Sequence, residues 1–222
     1  MDGNRRWAKK RGLPSIAGHK KGAEVLETIV KEAADKEIKY LTLYAFSTEN
    51  WQRDPEEVSS LMDLLRQYLN NEFQELQKNG VKIIFIGERQ MLASDIQDKM
   101  AKIEQETSNN KNITLCIALS YGSRQEIVFA TKKIAAMVKR GDIKLGDIDD
   151  KIFSDALYTK DIPNPDMVIR TGGELRISNY LLWQIAYAEL FFTPTLWPDF
   201  SSKELEQIIK NFNQRERRYG KG

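Results

Sequence analysis

Three short apolar runs, Tyr40–Phe46, Val81–Gly87 and Ile113–Leu119, recur along the chain with long helix-patterned stretches between them. Runs of this length, rich in Val, Ile, Leu, Tyr and Phe, suit strands buried on both faces. Strands separated by helices of ten or more residues imply βαβ units, hence a mostly parallel sheet with helices on its faces. Two shorter runs, 167–170 and 189–192, extend the pattern. The expected fold class is therefore α/β. No Pro/Gly/Ser-rich linker divides the 222 residues, so the expectation is one domain, 1–222, with a central parallel sheet flanked by helices.

Helices are expected over 20–36, 55–78, 94–107, 125–139 and 202–217, with residues 1–19 a glycine-punctuated loop and short helix. Pro55 marks a helix start by its preference for the first helical position, and Asp54 is placed to cap it. Helix 55–78 carries Val58, Leu61, Leu65, Leu69, Phe73 and Leu76, an apolar face broader than a surface helix needs. It is a core helix, or part of that face lines an apolar cavity.

In a parallel sheet the C-terminal strand ends share one edge, where ligands bind. Polar clusters follow three of the strands: 46–53, 120–124 and 170–178. The last is the most informative. Arg170, a Gly172-Gly173 turn, Arg176 and Ser178 put two guanidiniums and a hydroxyl around a flexible turn, which suits a multiply charged anion. Ser178 is also expected to cap a following helix, whose N-terminal amides would favour the same anion. Asp2, Arg6 and His19 complete the edge if the N-terminal loop folds over it.

Asp2 is either a loose terminal residue or a carboxylate held for Mg²⁺, an ion that takes one or two carboxylates plus substrate phosphates; Glu189 is the candidate second ligand. The stretch Ser47-Thr48-Glu49-Asn50-Trp51-Gln52-Arg53 is dense in hydrogen-bonding groups, with core packing the better reading for Trp51 alone. The lone His19 supports no metal spacing and no Ser/His/Asp set, and by itself reads as a structural hydrogen-bonder. Cys116 is the only cysteine, so there is no internal disulfide, and its apolar neighbours predict an inert thiol. Lys and Arg number 34 against 32 Asp and Glu, so the chain is not a globally basic nucleic-acid binder, although residues 1–21 and the Arg215, Arg217, Arg218, Lys221 end are locally basic. No run approaches the roughly 20 apolar residues of a membrane span, and no apolar leader follows Met1. The expected location is cytoplasmic.

Together, Met1-Asp-Gly-Asn-Arg-Arg-Trp-Ala8, Gly18-His19, Tyr44–Arg53, Tyr121-Gly122, Arg170–Asn179, Leu182-Trp-Gln184, Glu189, Leu196–Phe200 and Arg217-Arg218 resemble, in order and over the whole chain, the motifs of the cis-prenyltransferases. The resemblance implies a parallel-sheet fold with an apolar tunnel, a homodimer, and Mg²⁺-dependent condensation of isopentenyl diphosphate onto an allylic diphosphate, with farnesyl diphosphate the expected primer. The implied product is a long-chain polyprenyl diphosphate such as undecaprenyl diphosphate, a lipid carrier precursor for cell-wall synthesis. Transient contact with a membrane surface would serve product release. Carried over by motif, Asp2 is the essential acid and metal ligand, assisted by Glu189. Gly3, Asn4, Arg6, Trp7, His19 and Arg53 serve the allylic diphosphate, and Arg170, Arg176 and Ser178 hold isopentenyl diphosphate. Arg5, Ser47, Thr48, Glu49, Trp51 and Ile177 join the substrate-binding set. Asn50 holds the position of the assigned proton acceptor, but a carboxamide is a very weak base, so it is expected to orient substrate while a diphosphate oxygen takes the proton. Helix 55–78 and the strands at 81–86 and 113–119 are expected to line the tunnel.

The chain departs from the family pattern in three respects. Arg5 stands where glycine is commonest, and Ser15 where a basic residue often helps bind diphosphate. The family's short apolar strand before Met-Asp-Gly has no counterpart ahead of Met1, so either the chain is a piece of a longer one or the sheet has one strand fewer. A non-catalytic partner subunit would tend to lose the Asp and Arg set. This chain keeps Asp2, Asn50, Arg170 and Arg176, which favours the enzyme over that alternative and over a nucleic-acid-binding module.

Overall fold

The structure, a computed structural model, describes residues 1–71 and 73–215, with backbone alone at 71, 73 and 74. The Phe73 side chain, Arg217, Arg218 and Lys221 lie outside the described residues. All strand pairing is parallel. In the larger sheet, β3 (Ile113–Tyr121) is central, flanked by β1 (Tyr40–Ser47) and β2 (Val81–Ile86). A second ladder joins β4 (Met167–Arg170) to β5 (Glu189–Phe192). The expected strands are all present, divided between two ladders. The central strand explains the uninterrupted apolar run at 113–119: it is buried along almost its whole length, and Leu115 and Ala118 are fully enclosed. Burying a leucine or isoleucine side chain in this way stabilises the fold by about 1.5–3 kcal/mol.

The helices are α1 (Asn4–Lys10), α2 (Ser15–Asp35), α3 (Pro55–Asn71), α4 (Phe73–Lys78), α5 (Ser94–Thr107), α6 (Ser123–Arg140), α7 (Asp150–Ala156) and α8 (Ser202–Asn213). The expected helix 55–78 is described as α3 and α4 on either side of residue 72. Asp54 caps α3 as its position suggests, its Oδ1 accepting the Glu56 amide at 2.9 Å. Helix α7 was not expected. Its start is fixed by Asp149, whose Oδ1 accepts the Ile152 amide at 2.8 Å.

Two corrections concern what fills the space around the sheets. Among the described residues no helix joins β4 to β5; residues 171–188 run as bends and turns. Ser178, Asn179 and Leu181 have φ of 48°, 61° and 49°, left-handed conformations that no α-helix tolerates in sequence, so Ser178 is not an N-cap. The large cavity is also walled differently. Its volume is about 1290 Å³, and its apolar lining comes from β1, β4, β5, α2 and α8, with Trp197, Phe200 and the loop at 177–181. From α3 it takes Leu61, and neither β2 nor β3 contributes. Leu65 packs on the main core cluster and Leu69 is buried in it, with α3 packed against α5. Each of β1 and β4 is bonded along one edge, and residues of both strands border the cavity.

Candidate active site

Gly3 begins the site. With φ of 110° it turns the chain into α1, so that Asp2 and Arg6 lie one helical turn apart on one side. Helix α1 then seats against α2 at a glycine. A Cβ on Gly18 would stand 2.0 Å from the Asn4 carbonyl oxygen, so only glycine permits this approach. The main chain of Asp2 is pinned independently of its carboxylate. Its amide donates to Thr171 Oγ1 at 2.9 Å, and its carbonyl accepts the Trp197 amide at 2.9 Å.

The carboxylate bridges two arginines. Arg170 Nη2 lies 2.8 Å from Oδ2, and Arg6 Nη2 lies 3.1 Å from Oδ1. Burial pushes the Asp2 carboxyl up, but the Arg170 hydrogen bond and the charges of Arg6 and Arg170 outweigh it and hold the group below its usual range. Arg170 also donates to Ser178 Oγ at 2.8 Å and to the Arg176 carbonyl, which wraps the loop around one guanidinium. Arg6 donates to the Gly172 carbonyl at 2.6 Å, and a Cβ on Gly172 would come within 2.6 Å of that guanidinium. Gly172, with φ of 88°, therefore serves both the turn and the close approach of Arg6.

The strand-end loop after β1 closes the other side. Asn50 Oδ1 accepts the Ser47 amide at 3.0 Å, so what its side chain offers a ligand is chiefly its Nδ2 hydrogens. Arg53 and Arg5 share Glu57, at 3.1 and 3.6 Å. His19 stands near this pair. Burial, then the Arg53 charge, lowers its pKa to about 4, so the imidazole is neutral at pH 7. Its buried Nε2 has no hydrogen-bond partner.

Asp2, Gly3, Asn4, Arg5, Arg6, His19, Ser47, Glu49, Asn50, Arg53, Arg170, Arg176, Ile177 and Ser178 all border the cavity. Four expected residues do not. Trp7 turns outward, bonding Asp199 at 2.6 Å under the Arg11 guanidinium. Trp51 packs edge-on against Phe46 and donates to Ser120 Oγ at 2.8 Å, the core role favoured for it. Thr48 is placed beside Gly122. Glu189 opens β5 opposite Met167, whereas Arg170 sits at the other end of that ladder opposite Phe192, and the Glu189 carboxylate is engaged by Arg215. Within one chain Glu189 does not join Asp2, because parallel pairing sets the two at opposite strand ends. Among the described residues there is no cluster of three metal-ligating side chains.

Sequence reasoning missed the carboxylates that hold the arginines. Glu174 pairs with both Arg6, at 3.6 Å, and Arg176. Glu57 was legible as the i+4 partner of Arg53. Cys116 is buried and its thiol is pushed up to about 12, chiefly by burial, in keeping with the inert role expected of it. Among the described residues no helix is long and apolar enough to cross a membrane.

The undecaprenyl diphosphate synthase family model matches residues 1–220. An isoprenyl transferase of Fusobacterium nucleatum is 50% identical over 220 residues, 99% of this chain and 93% of the relative. One from Heliobacterium mobile is 49% identical over 220 residues, 99% of this chain and 85% of that protein. Among solved structures, lavandulyl diphosphate synthase of Lavandula x intermedia, in complex with dimethylallyl diphosphate, superposes with a TM-score of 0.95 at 36% identity, covering 100% of this chain and 95% of the other. A probable undecaprenyl diphosphate synthase of Campylobacter jejuni gives 0.81 at 31% identity, covering 91% and 93%.

Proposed function

Because the chain belongs to the undecaprenyl diphosphate synthase family and is a prenyltransferase, we propose that it condenses isopentenyl diphosphate units onto an allylic diphosphate, in cis, to give a long-chain polyprenyl diphosphate. Farnesyl diphosphate is the proposed primer and undecaprenyl diphosphate the proposed product. One observation carries this reading: two sets of guanidiniums line one cavity of about 1290 Å³, larger than the roughly 300–1,000 Å³ of a drug-sized site. Two anionic headgroups and one long hydrocarbon need such an arrangement. The same reading takes residues 1–222 as one catalytic unit, acting in the cytoplasm as a homodimer, with brief membrane contact for product release.

Arg5, Arg6, His19 and Arg53, beside Gly3 and Asn4, form the proposed allylic half-site. Arg170, Arg176 and Ser178 form the half-site for isopentenyl diphosphate. Asn50, with its Oδ1 engaged by Ser47, orients substrate as a donor, and the proton leaves to a diphosphate oxygen. The donor chemistry suits Mg²⁺: Asp2 is a single ionised carboxylate at the boundary of the two half-sites, and this ion accepts one carboxylate when substrate phosphates supply further oxygens. When bound, the ion would neutralise charge on the departing diphosphate. The guanidiniums do the same from fixed positions, in an environment partly shielded from water.

The test is incubation of the purified protein with farnesyl diphosphate, labelled isopentenyl diphosphate and Mg²⁺, followed by chromatography of the products. A ladder of lengthening labelled prenyl products is expected. Substrates returned unchanged would overturn the assignment.

A further inference from the structure

One residue at the site belongs to neither anion set and ties the loop that carries Ser178 to the loop that carries Arg53. Asn179 follows Ser178, and its Nδ2 donates to Glu49 Oε1 at 2.9 Å and to Gln125 Oε1 at 3.1 Å. Its Oδ1 accepts the Arg124 amide at 2.8 Å, and its carbonyl accepts the Ser123 amide at 2.8 Å. It sits on Gly122 so closely that a Cβ there would fall 2.7 Å from Nδ2. Both Nδ2 hydrogens and Oδ1 are engaged in joining three strand ends: the Ser47–Arg53 loop after β1, the start of α6 after β3, and the loop after β4.

The backbone shows why such a clamp is needed. Ser178, Asn179 and Leu181 are non-glycine residues at positive φ. Such conformations persist only where the surroundings over-determine them. Asparagine tolerates this region better than most. Two further bonds hold the same turn on α6. The Leu182 amide donates to Ser123 Oγ at 2.9 Å, and Gln184 Nε2 donates to the fully buried Glu126 at 3.1 Å. At the other end of the clamp, burial pushes the Glu49 carboxyl up, but the Asn179 hydrogen bond leads the contributions that bring it below its ordinary value.

We propose that Asn179 is a positioning residue that couples the two diphosphate half-sites, fixing the strained turn that carries Ser178 to α6 while holding Glu49 of the allylic-side loop. This rests on the division of half-sites proposed above. The geometry separates the coupling from plain helix capping. Asn179→Asp keeps an acceptor for the Arg124 amide but removes the donor to Glu49 and sets two carboxylates side by side. Glu49→Gln combined with Asn179→Asp restores the pair with donor and acceptor exchanged.

The experiment is a double-mutant cycle on wild type, Glu49→Gln, Asn179→Asp and the double variant. It measures KM for each substrate, kcat, and hydrogen exchange at the Ser123 and Arg124 amides. Asn179→Asp should raise both KM values about tenfold or more, the scale of a lost hydrogen bond to a charged group, while the two amides stay protected. The double variant should recover to within about threefold of Glu49→Gln, far from additivity. Unchanged KM values in Asn179→Asp, or additive losses in the double variant, would overturn the coupling. Loss of amide protection without recovery would reduce Asn179 to a helix cap and overturn it equally. If wild type gives no condensation, the proposed function fails first. The same cycle is then read as the calorimetric Kd for inorganic diphosphate, where equal affinity in wild type and Asn179→Asp refutes the coupling by itself.

Discussion

Replacing Asp2 by Asn tests the centre of the site with the smallest change in shape. The variant keeps the main-chain bonds of residue 2 to Thr171 and Trp197, so the loop should stay in place. What it loses is the charge between Arg170 and Arg6. The Arg6 side chain is 43% exposed, so that pair is worth at most about 1 kcal/mol after screening by solvent. Arg170 is 16% exposed, and its 2.8 Å bond to a carboxylate belongs to the stronger class of about 1.5–3 kcal/mol, from which the remaining amide contact subtracts. A net loss of about 1–2 kcal/mol is expected, or a Tm lower by about 2–8 °C for a domain of this size. The difference should also depend on pH in one direction. The folded-state pKa of Asp2 lies below its ordinary 3.8, so the carboxylate's contribution is complete above 3.8 and fades as pH falls through the lowered value. The melting curves of wild type and Asp2→Asn should therefore differ at pH 7 and converge in strong acid. Turnover in Mg²⁺ should fall by about 10²–10³-fold, the scale of removing one preorganised charge from a reacting centre. Differential scanning calorimetry across pH, beside a condensation assay, reads all three. Undiminished turnover, or a Tm gap that widens as pH drops, would refute the reasoning.

Arg176→Ala should raise the KM for isopentenyl diphosphate about tenfold or more and leave that of the allylic substrate nearly unchanged; steady-state titration of each substrate decides, and equal effects would break the division of half-sites. His19 is neutral at pH 7 and its pKa is lowered to about 4, so between 6.5 and 4 the unfolded chain binds the extra proton and stability falls with falling pH. His19→Gln should flatten that slope in melting curves, and an identical slope would exclude the histidine as its source. Leu61→Trp, at a cavity wall, should shorten the products seen by chromatography. Leu69→Trp, inside the core, should cost about 1–3 kcal/mol by calorimetry and leave product length alone. Chelation with EDTA should stop turnover and leave the melting curve of the substrate-free protein unmoved, with Mg²⁺ restoring activity; a lowered Tm would place the ion in the fold instead of with the substrate.

The strands were legible because a buried central strand such as Ile113–Tyr121 must be apolar nearly throughout, and that leaves a plain mark in composition. The caps at Asp54 and the turn at Gly172-Gly173 were legible for a similar reason, since local chemistry there dictates local geometry. The loop from Ser178 to Leu181 was not. Its left-handed residues are serine, asparagine and leucine, whose conformation is imposed by contacts with residues more than fifty positions away, such as Ser123 and Arg124. Glu126 hides for the same reason. Nothing near it announces that a carboxylate on α6 will be fully enclosed, bonded to Tyr121 at 2.5 Å and to Gln184 at 3.1 Å. The breadth of the α3 face was visible, but not which neighbour each side would meet, so Leu65 and Leu69 were open to the tunnel by pattern and belong to the core by packing.

Each guanidinium assigned to the two half-sites already holds a carboxylate: Arg6 and Arg170 on Asp2, Arg6 and Arg176 on Glu174, Arg5 and Arg53 on Glu57. On the proposed function, the guanidinium-lined part of the cavity therefore acts as an ion exchanger and not as an empty trap. An incoming anion is weighed against a tethered carboxylate of single charge. A monovalent headgroup gains little by the swap, whereas a diphosphate brings several charges and more oxygens to the same forks. On the same proposal the arginines stay neutralised between turnovers, and the threshold for displacing their partners sets a minimum charge for anything that enters with a long hydrocarbon behind it.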